Sequence, residues 1–463
     1  MRRTIVPAVI VAVMLTAGMA FATDPPQMPS GPPGPGEFGA YYTHLKYNPD
    51  WDAPWRIADH PDVVVRFEDD SHRLVFWRGT SFIPCWVNDA GKWYTNEFVE
   101  RRGHHSPNTE GSVEPMSDKQ CRLSHVRVIE SNDARVVVHW RYAPIDVHYE
   151  YPMTDLETGW SDWVDEYYTI YPDAIGVRKI TVHSSRPDLW MEFHEAILLN
   201  QPGTLPEDNI EAGAVSLANM AGESITYVWT EDGGPAFDSN PEFSNIMKIN
   251  LLGRLKPFAI VAPPKEGNLM TTYLGHGRNS KFNWWDHWPV SQFASAGRGA
   301  TSAERPSHSS LSHIGLPDTA TAEWEPYEKE GDRVVKIMLN GLTDEAAEDL
   351  VPLAKSWLNA PELSVDGDLE SGGYDPTQMA YVLEGSGNAT LKLDARSDSP
   401  VVNPAFEITG WGDDGVAVKL NGRILQAGND YRVGKRDTLG GTDLILWVKT
   451  EATEPITLTL DVD

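Results

Sequence analysis

The sequence predicts a mostly β protein, with a large β-sandwich followed by a smaller C-terminal β-sandwich. Three observations carry this. Short runs rich in β-branched and aromatic residues recur along the chain, each bounded by Pro, Gly, Asn or Asp. Within several runs the side chains alternate between apolar and polar with a period of two, as in Arg135-Val-Val-Val-His-Trp-Arg-Tyr142. Only the stretch Thr343 to Leu358 reads clearly as helical.

Taken in order, the chain starts with Met1-Arg2-Arg3, an apolar centre from Ile5 to Ala20, and Ala20-Phe21-Ala22. That is the pattern of a secretory signal peptide cut after Ala22. Residues 23–37 are Pro/Gly-rich and read as an extended linker. The expected domains are 38–342 as a catalytic sandwich, 343–361 as a connecting helix and 362–463 as the second sandwich. Val63–Phe67 and Leu74–Trp77 read as a hairpin. Strands follow at Lys92–Tyr94, His125–Glu130, Arg135–Tyr142, Asp165–Tyr171, Val177–His183 and Met191–Leu199. In the helix, Thr343 and Asp344 can cap the start, and Pro352 predicts a kink or two shorter helices. Beyond it, turns such as Asn421-Gly422 and Gly440-Gly441 separate further strands.

The formal charge of −29, from 38 Lys and Arg against 67 Asp and Glu, argues against nucleic acid and anionic membranes as partners. No further apolar run reaches membrane-spanning length, so a secreted or periplasmic protein without membrane insertion is expected. Oligomeric state is left open. Cys85 and Cys121 are the only cysteines; they can form one disulfide or remain two buried thiols.

Three stretches hold residues suited to chemistry. The first is the loop Glu100 to Gly111, with His104 and His105. The second is the aromatic run Trp160 to Tyr171, where Tyr167 and Tyr168 must point to opposite faces, so that one belongs to the core. The third is Tyr273 to Pro289, with His276, Arg278, Asn283, Trp284, Trp285, His287 and Trp288, continuing through Arg298, Arg305 and His308 to His313. Aromatic faces there would take a sugar ring, and His and Arg would take its polar or anionic groups. The faces carrying His125, Arg127, His139, Arg141 and Lys179 suggest a second wall of the same groove. No nucleophile elbow, zinc helix, phosphate loop or dinucleotide fingerprint is present. No metal-ligating set is assigned and no cofactor is expected, though a divalent cation is compatible with the composition.

β-Elimination of a uronate polysaccharide fits this inventory. It needs a base for the proton α to the carboxylate, a cation or amide for that carboxylate, and an acid for the leaving oxygen. The runs Glu114-Pro-Met-Ser-Asp-Lys-Gln-Cys121 with His125-Val-Arg127, Asp165-Glu-Tyr-Tyr-Thr-Ile-Tyr-Pro-Asp173, and Phe282-Asn-Trp-Trp-Asp-His-Trp-Pro-Val290 resemble ulvan lyases of polysaccharide lyase family 40. The overall plan resembles the galactose-mutarotase-like β-sandwich. The resemblance implies a lyase cutting a sulfated, uronate-containing polymer by His/Tyr chemistry. His125, Tyr167, Tyr168, Asn283 and His287 are the positions matching its motifs.

The expected roles are therefore His105 or His287 as base and Tyr167 or Tyr168 as acid, with His125 beside them. Arg141, Arg278 and Asn283 would hold a carboxylate or sulfate. Trp284, Trp285 and Trp288 would stack on sugar, with His276 and Arg298 as further contacts. The expected partner is an acidic polysaccharide. The alternatives are a non-catalytic glycan-binding protein, or a glycoside hydrolase or epimerase on the same fold.

Overall fold

The computed structural model describes residues 27–29, 37–49, 51–52, 59–69, 71–96, 98–101, 109–187, 190, 192–236, 239–273, 280–290, 303–316 and 320–462. The predicted leader, and His104, His105, His276, Arg278 and Arg298, lie outside them.

Alternating polarity builds two large antiparallel sheets. The first runs in the order Gly39–Thr43, Asp62–Arg66, Arg73–Phe76, Pro84–Val87, Trp93–Thr95, Glu195–Asn200, Ser307–Ile314 and Met270–Thr272, with Asn283–Trp285 also paired to Ser307–Ile314. The second runs Ser224–Tyr227, Ile210–Ala218, Ile246–Leu251, Lys256–Ile260, Arg333–Thr343, Ile175–His183, Trp163–Ile170, Val136–Tyr142 and Ser124–Ser131. They pack face to face around one apolar core. Trp86 of the first sheet donates its Nε1–H to Asn340 Oδ1 of the second at 2.9 Å. Phe76 meets Tyr168 edge-on, with ring centroids 5.4 Å apart. These two contacts define the inner face of each sheet.

A buried ion pair spans the core. Arg178 donates from Nε and Nη2 to Glu166, both at 2.7 Å, and neither side chain is exposed. Tyr142 and Tyr168 donate their hydroxyls to the same carboxylate. The other arm of Arg178 reaches the first sheet's side, donating to Asn96 O at 2.9 Å and Phe193 O at 3.0 Å. One guanidinium thus fixes two segments that flank the cavity described below.

The predicted helix is shorter than its sequence pattern. The strand Arg333–Thr343 takes the proposed cap, a 3-10 turn covers Glu348–Leu350, and the α-helix runs only over Val351–Leu358. Pro352 is tolerated because it sits in the first helical turn, where its missing N–H has no partner to lose. Leu350, Ala354 and Trp357 pack on the outer face of the second sheet against Ile246, Phe258, Ile260 and Leu339.

A third sheet folds on itself into the C-terminal sandwich. Its long strand Ala380–Leu393 pairs with Ala405–Thr409 at one end and with Ile456–Val462 at the other. Leu383, Phe406 and Leu446 from one half share a core with Leu391, Val418 and Leu458 from the other. The bend falls at Gly385 and Gly387, with φ near +121° and +125°. A Cβ on Gly387 would lie 2.6 Å from Asp368 Oδ2, so glycine is required there. Arg135, clamped by Glu130, also donates to Glu407 at 2.8 Å and ties this sandwich to the larger one.

One further expectation changes. Part of the linker is docked: Met28 is buried, its N–H donates to Gln201 Oε1 at 2.8 Å, and Gln27 Nε2 donates to Pro202 O at 3.0 Å. Of the two readings left open for the cysteines, Cys85 and Cys121 take the second and are buried free thiols. No helix among the described residues is long and apolar enough to cross a membrane.

Candidate active site

Strand register decides what gathers on the outer face of the first sheet. Trp86 and Tyr94 are opposed, and Trp86 points inward. The neighbouring row, Trp93, Leu199, His308 and Trp285, therefore points outward. The next row is Thr95, Ile197, Ser310 and Asn283. A bulge at Leu311 then shifts the alternation by one residue, so His313, opposite Glu195, returns to this same face. Without that bulge His313 would point into the sandwich core.

Over this face lies a cavity of about 220 Å³, lined by Glu100, Ser112, Glu114, Met116, Glu195, Tyr273, Trp285, His287, His308 and Ser310. Glu100 is brought in by a bridge to Glu192, and Glu114 by a bridge to Ile145. The His287 backbone is held from both sides. Lys119 Nζ donates to its carbonyl at 3.0 Å, and Arg305 clamps the preceding Asp286 at 2.7 Å. Two of the three stretches that carry the family resemblance, around Glu114–Lys119 and Asn283–His287, therefore meet here.

His308 Nδ1 lies 2.8 Å from Trp288 O. A carbonyl only accepts, so Nδ1 carries the proton and Nε2 is the nitrogen that could act as a base. His287 stands edge-on to it at 4.7 Å. Tyr273 lies against His313, with ring centroids 4.4 Å apart. Asn283 is 1% exposed, and neither its Oδ1 nor its Nδ2 has a hydrogen-bond partner among the described residues. An amide buried in that state costs about 1–3 kcal/mol.

Carboxylates dominate the far wall. Oxygens of Glu100, Glu192 and Glu195, all buried, lie within 4.8 Å of one another. His313 Nδ1 is 2.8 Å from Glu192 Oε1, and its Nε2 is 3.9 Å from Glu195 Oε1. Three such charges need a proton or a cation to coexist, and an all-oxygen set suits a hard divalent cation. Burial, reinforced by the charges of Arg178 and His313, pushes the nearby His194 well below the usual histidine range, so it stays neutral.

The remaining predicted residues fall elsewhere. Tyr168 is the core member of its pair: it is 1% exposed and its hydroxyl is committed to Glu166, so it has no route to substrate. Burial also raises that hydroxyl well above its usual range. Trp284 points inward and donates its Nε1–H to Ser307 Oγ at 2.8 Å. Trp288 is 1% exposed and packs behind His308. Neither offers a free face to a sugar; among these three, only Trp285 lines the cavity. His125, Arg141 and Tyr167 lie on the outer face of the second sheet, with both sheets between them and the cavity. The expected single groove is therefore two separate surfaces.

Glu100, Glu114, Glu195, Tyr273, His308 and His313 complete the site. His308 and His313 end a run already noted for its histidines. Glu100 and Glu114 open two stretches noted in the sequence but were given no role there, and Glu195 carried no local signal, because the three converge only through register and the two bridges.

No family model and no curated protein matches the chain. Among solved structures, it is similar to a galactose 1-epimerase from Lactobacillus acidophilus NCFM, at 8% identity and a TM-score of 0.28 over 66% of this chain and 99% of that one. It is also similar to the heparan sulfate lyase HepC from Pedobacter heparinus, at 8% identity and a TM-score of 0.27 over 71% of this chain and 39% of that one. A heparinase III with methylated lysines aligns at 8% identity and a TM-score of 0.23, over 70% and 37%. The chain thus spans less than two fifths of either lyase.

Proposed function

We propose that the protein is a secreted polysaccharide lyase that cleaves a uronate-containing, ulvan-like polymer by β-elimination, with the cavity as its active site. The observation that carries this reading is Asn283, a buried amide without a partner among the described residues, on the face that holds His308 and Trp285. A substrate carboxylate would satisfy it. Its N–H groups would then stabilise the charge that builds on that carboxylate as the α-proton leaves. His308 takes the proton on Nε2, since its Nδ1–H is held by Trp288 O. Tyr273 protonates the glycosidic oxygen as the C–O bond breaks, leaving a carbon–carbon double bond in the sugar. Trp285 and His287 form the wall against the ring.

Glu100, Glu114 and Glu195 favour a second reading. Carboxylates are the usual acid and base for neutral sugars, and they repel a uronate. A glycoside hydrolase or an epimerase would use them directly. The test is incubation with ulvan, alginate, glucuronan and chondroitin sulfate. The lyase reading expects the ultraviolet absorbance of an unsaturated uronate on at least one polymer. New reducing ends without that absorbance would show a hydrolase. Anomeric exchange without chain shortening would show an epimerase, and binding alone a glycan-binding protein.

A further inference from the structure

We propose that the open half of the second sheet's outer face is a docking surface for an anionic polysaccharide chain, separate from the cavity. The other half of that face is covered by the helix Val351–Leu358 and the C-terminal sandwich. Beyond Val177, which packs under that cover, the strands Ser124–Ser131, Val136–Tyr142, Trp163–Ile170 and Ile175–His183 place two rows of side chains side by side; His139, Asp165 and Thr181 in them are buried, whereas His125, Arg127, Arg141, Tyr167 and Lys179 reach the surface. One row is Arg127, His139, Tyr167 and Lys179. The next is His125, Arg141, Asp165 and Thr181. Each row crosses three strand spacings, about 14 Å, which suits an extended chain better than a single small molecule.

The charge on these rows is opposite to that of the protein. Acidic residues outnumber Lys and Arg by 67 to 38, yet Asp165 is the one carboxylate in the two rows. It is already used internally: His139 lies 2.6 Å, Arg141 3.3 Å and His183 3.4 Å from it. Burial opposes its ionisation, but the hydrogen bonds of His139 and His183 and the Arg141 charge prevail, holding the carboxyl well below the usual range. Arg127 and Lys179 have no ion-pair partner among the described residues. A chain this acidic has ample carboxylate to neutralise them, so two unpaired cations at the ends of one row point to an anion supplied from outside.

Flat aromatic surface accompanies the charge. Tyr167 stacks on His139 with centroids 4.5 Å apart, and Arg141 lies 4.9 Å over the Trp163 ring. Trp160, 69% exposed, stands three residues before Trp163 on the hairpin closed by Thr154 and Ser161. Cations interleaved with aromatic rings fit sulfate or carboxylate groups spaced by sugar faces. Nucleic acid would share the cationic contacts, but the overall negative charge repels it at longer range.

The inference does not depend on the cavity being catalytic, and binding alone tests it. The full chain, Arg127→Ala/Lys179→Ala and Arg127→Glu/Lys179→Glu are run in affinity gels containing ulvan, neutral dextran or single-stranded DNA. Thermal unfolding by circular dichroism confirms that each variant is folded. The alanine pair is expected to weaken ulvan binding by about tenfold, the scale of two exposed ion pairs, and the glutamate pair to weaken it further. Ulvan binding unchanged in both double variants, or equal retention by neutral dextran, would overturn the proposal. DNA binding as strong as ulvan binding would also overturn it, in favour of a nucleic-acid surface.

Discussion

Replacing Arg178 by Met tests whether the buried pair holds the sandwich together. Glu166 would then remain a carboxylate with no exposure, receiving only the Tyr142 and Tyr168 hydroxyls. Stranding a buried charge in this way costs about 3–5 kcal/mol. The carbonyls of Asn96 and Phe193 also lose their donor, at roughly 1 kcal/mol each. The sum, about 5–7 kcal/mol, is a large part of the stability of an ordinary domain. At roughly 2 °C per kcal/mol for a large domain, the Tm of the main sandwich should fall by about 10–14 °C. Urea unfolding followed by near-ultraviolet circular dichroism gives the free energy, and calorimetry gives the Tm. Adding Glu166→Gln removes the stranded charge but keeps an acceptor for both tyrosines, so the double variant should recover about 3 kcal/mol. A loss under about 1 kcal/mol in the single variant, or a double variant no more stable than the single, would refute the assigned role of this pair.

Two further outcomes are expected. Burial raises the Asp162 carboxyl from 3.8 to about 6, against the hydrogen bonds of Ser184 and Trp190 that lower it. A raised carboxyl contributes stability below pH 4 that is lost as pH rises through about 6. Asp162→Asn, which mimics the protonated form, should therefore exceed the parent's stability by about 3 kcal/mol at pH 8 and match it near pH 4. Chemical denaturation at both pH values measures this. Trp284→Ala should cost about 3–5 kcal/mol, as for a buried tryptophan, whereas Trp285→Ala should leave stability nearly intact and raise KM for the polymer.

Much of the fold could be read from period-two alternation, because a one-residue slip would have turned every apolar side chain to solvent. The same rule separated Tyr167 from Tyr168 in the sequence and identified one of them as core. It could not say which, because both residues are equally aromatic and the inner face is set by the opposing sheet. Trp284 and Trp285 were equally indistinguishable until the pairing with Ser309 and His308 assigned their faces. The helix start was misread because Thr343 and Asp344 have good capping chemistry, yet Thr343 completes a strand pairing with Lys256. The site itself was half legible. Asn283 and His287 stood out in a dense polar and aromatic run. Glu100, Glu195 and His313 come from three distant segments, and the bulge at Leu311 that turns His313 outward has no signature in the local sequence. The expected single groove failed for a related reason: alternation shows that a strand has a polar face, but not which side of the molecule that face meets.

The most direct test of the proposed site is Asn283→Ala, read for activity and stability on the same sample. Removing an amide without a partner relieves about 1–3 kcal/mol of desolvation and leaves only a small void, so the Tm should stay within about 3 °C of the parent. If Asn283 holds the uronate carboxylate, formation of unsaturated product should drop by about 100-fold or more, the scale for losing a donor to developing charge. Product formation at the parental rate by this folded variant would contradict the account.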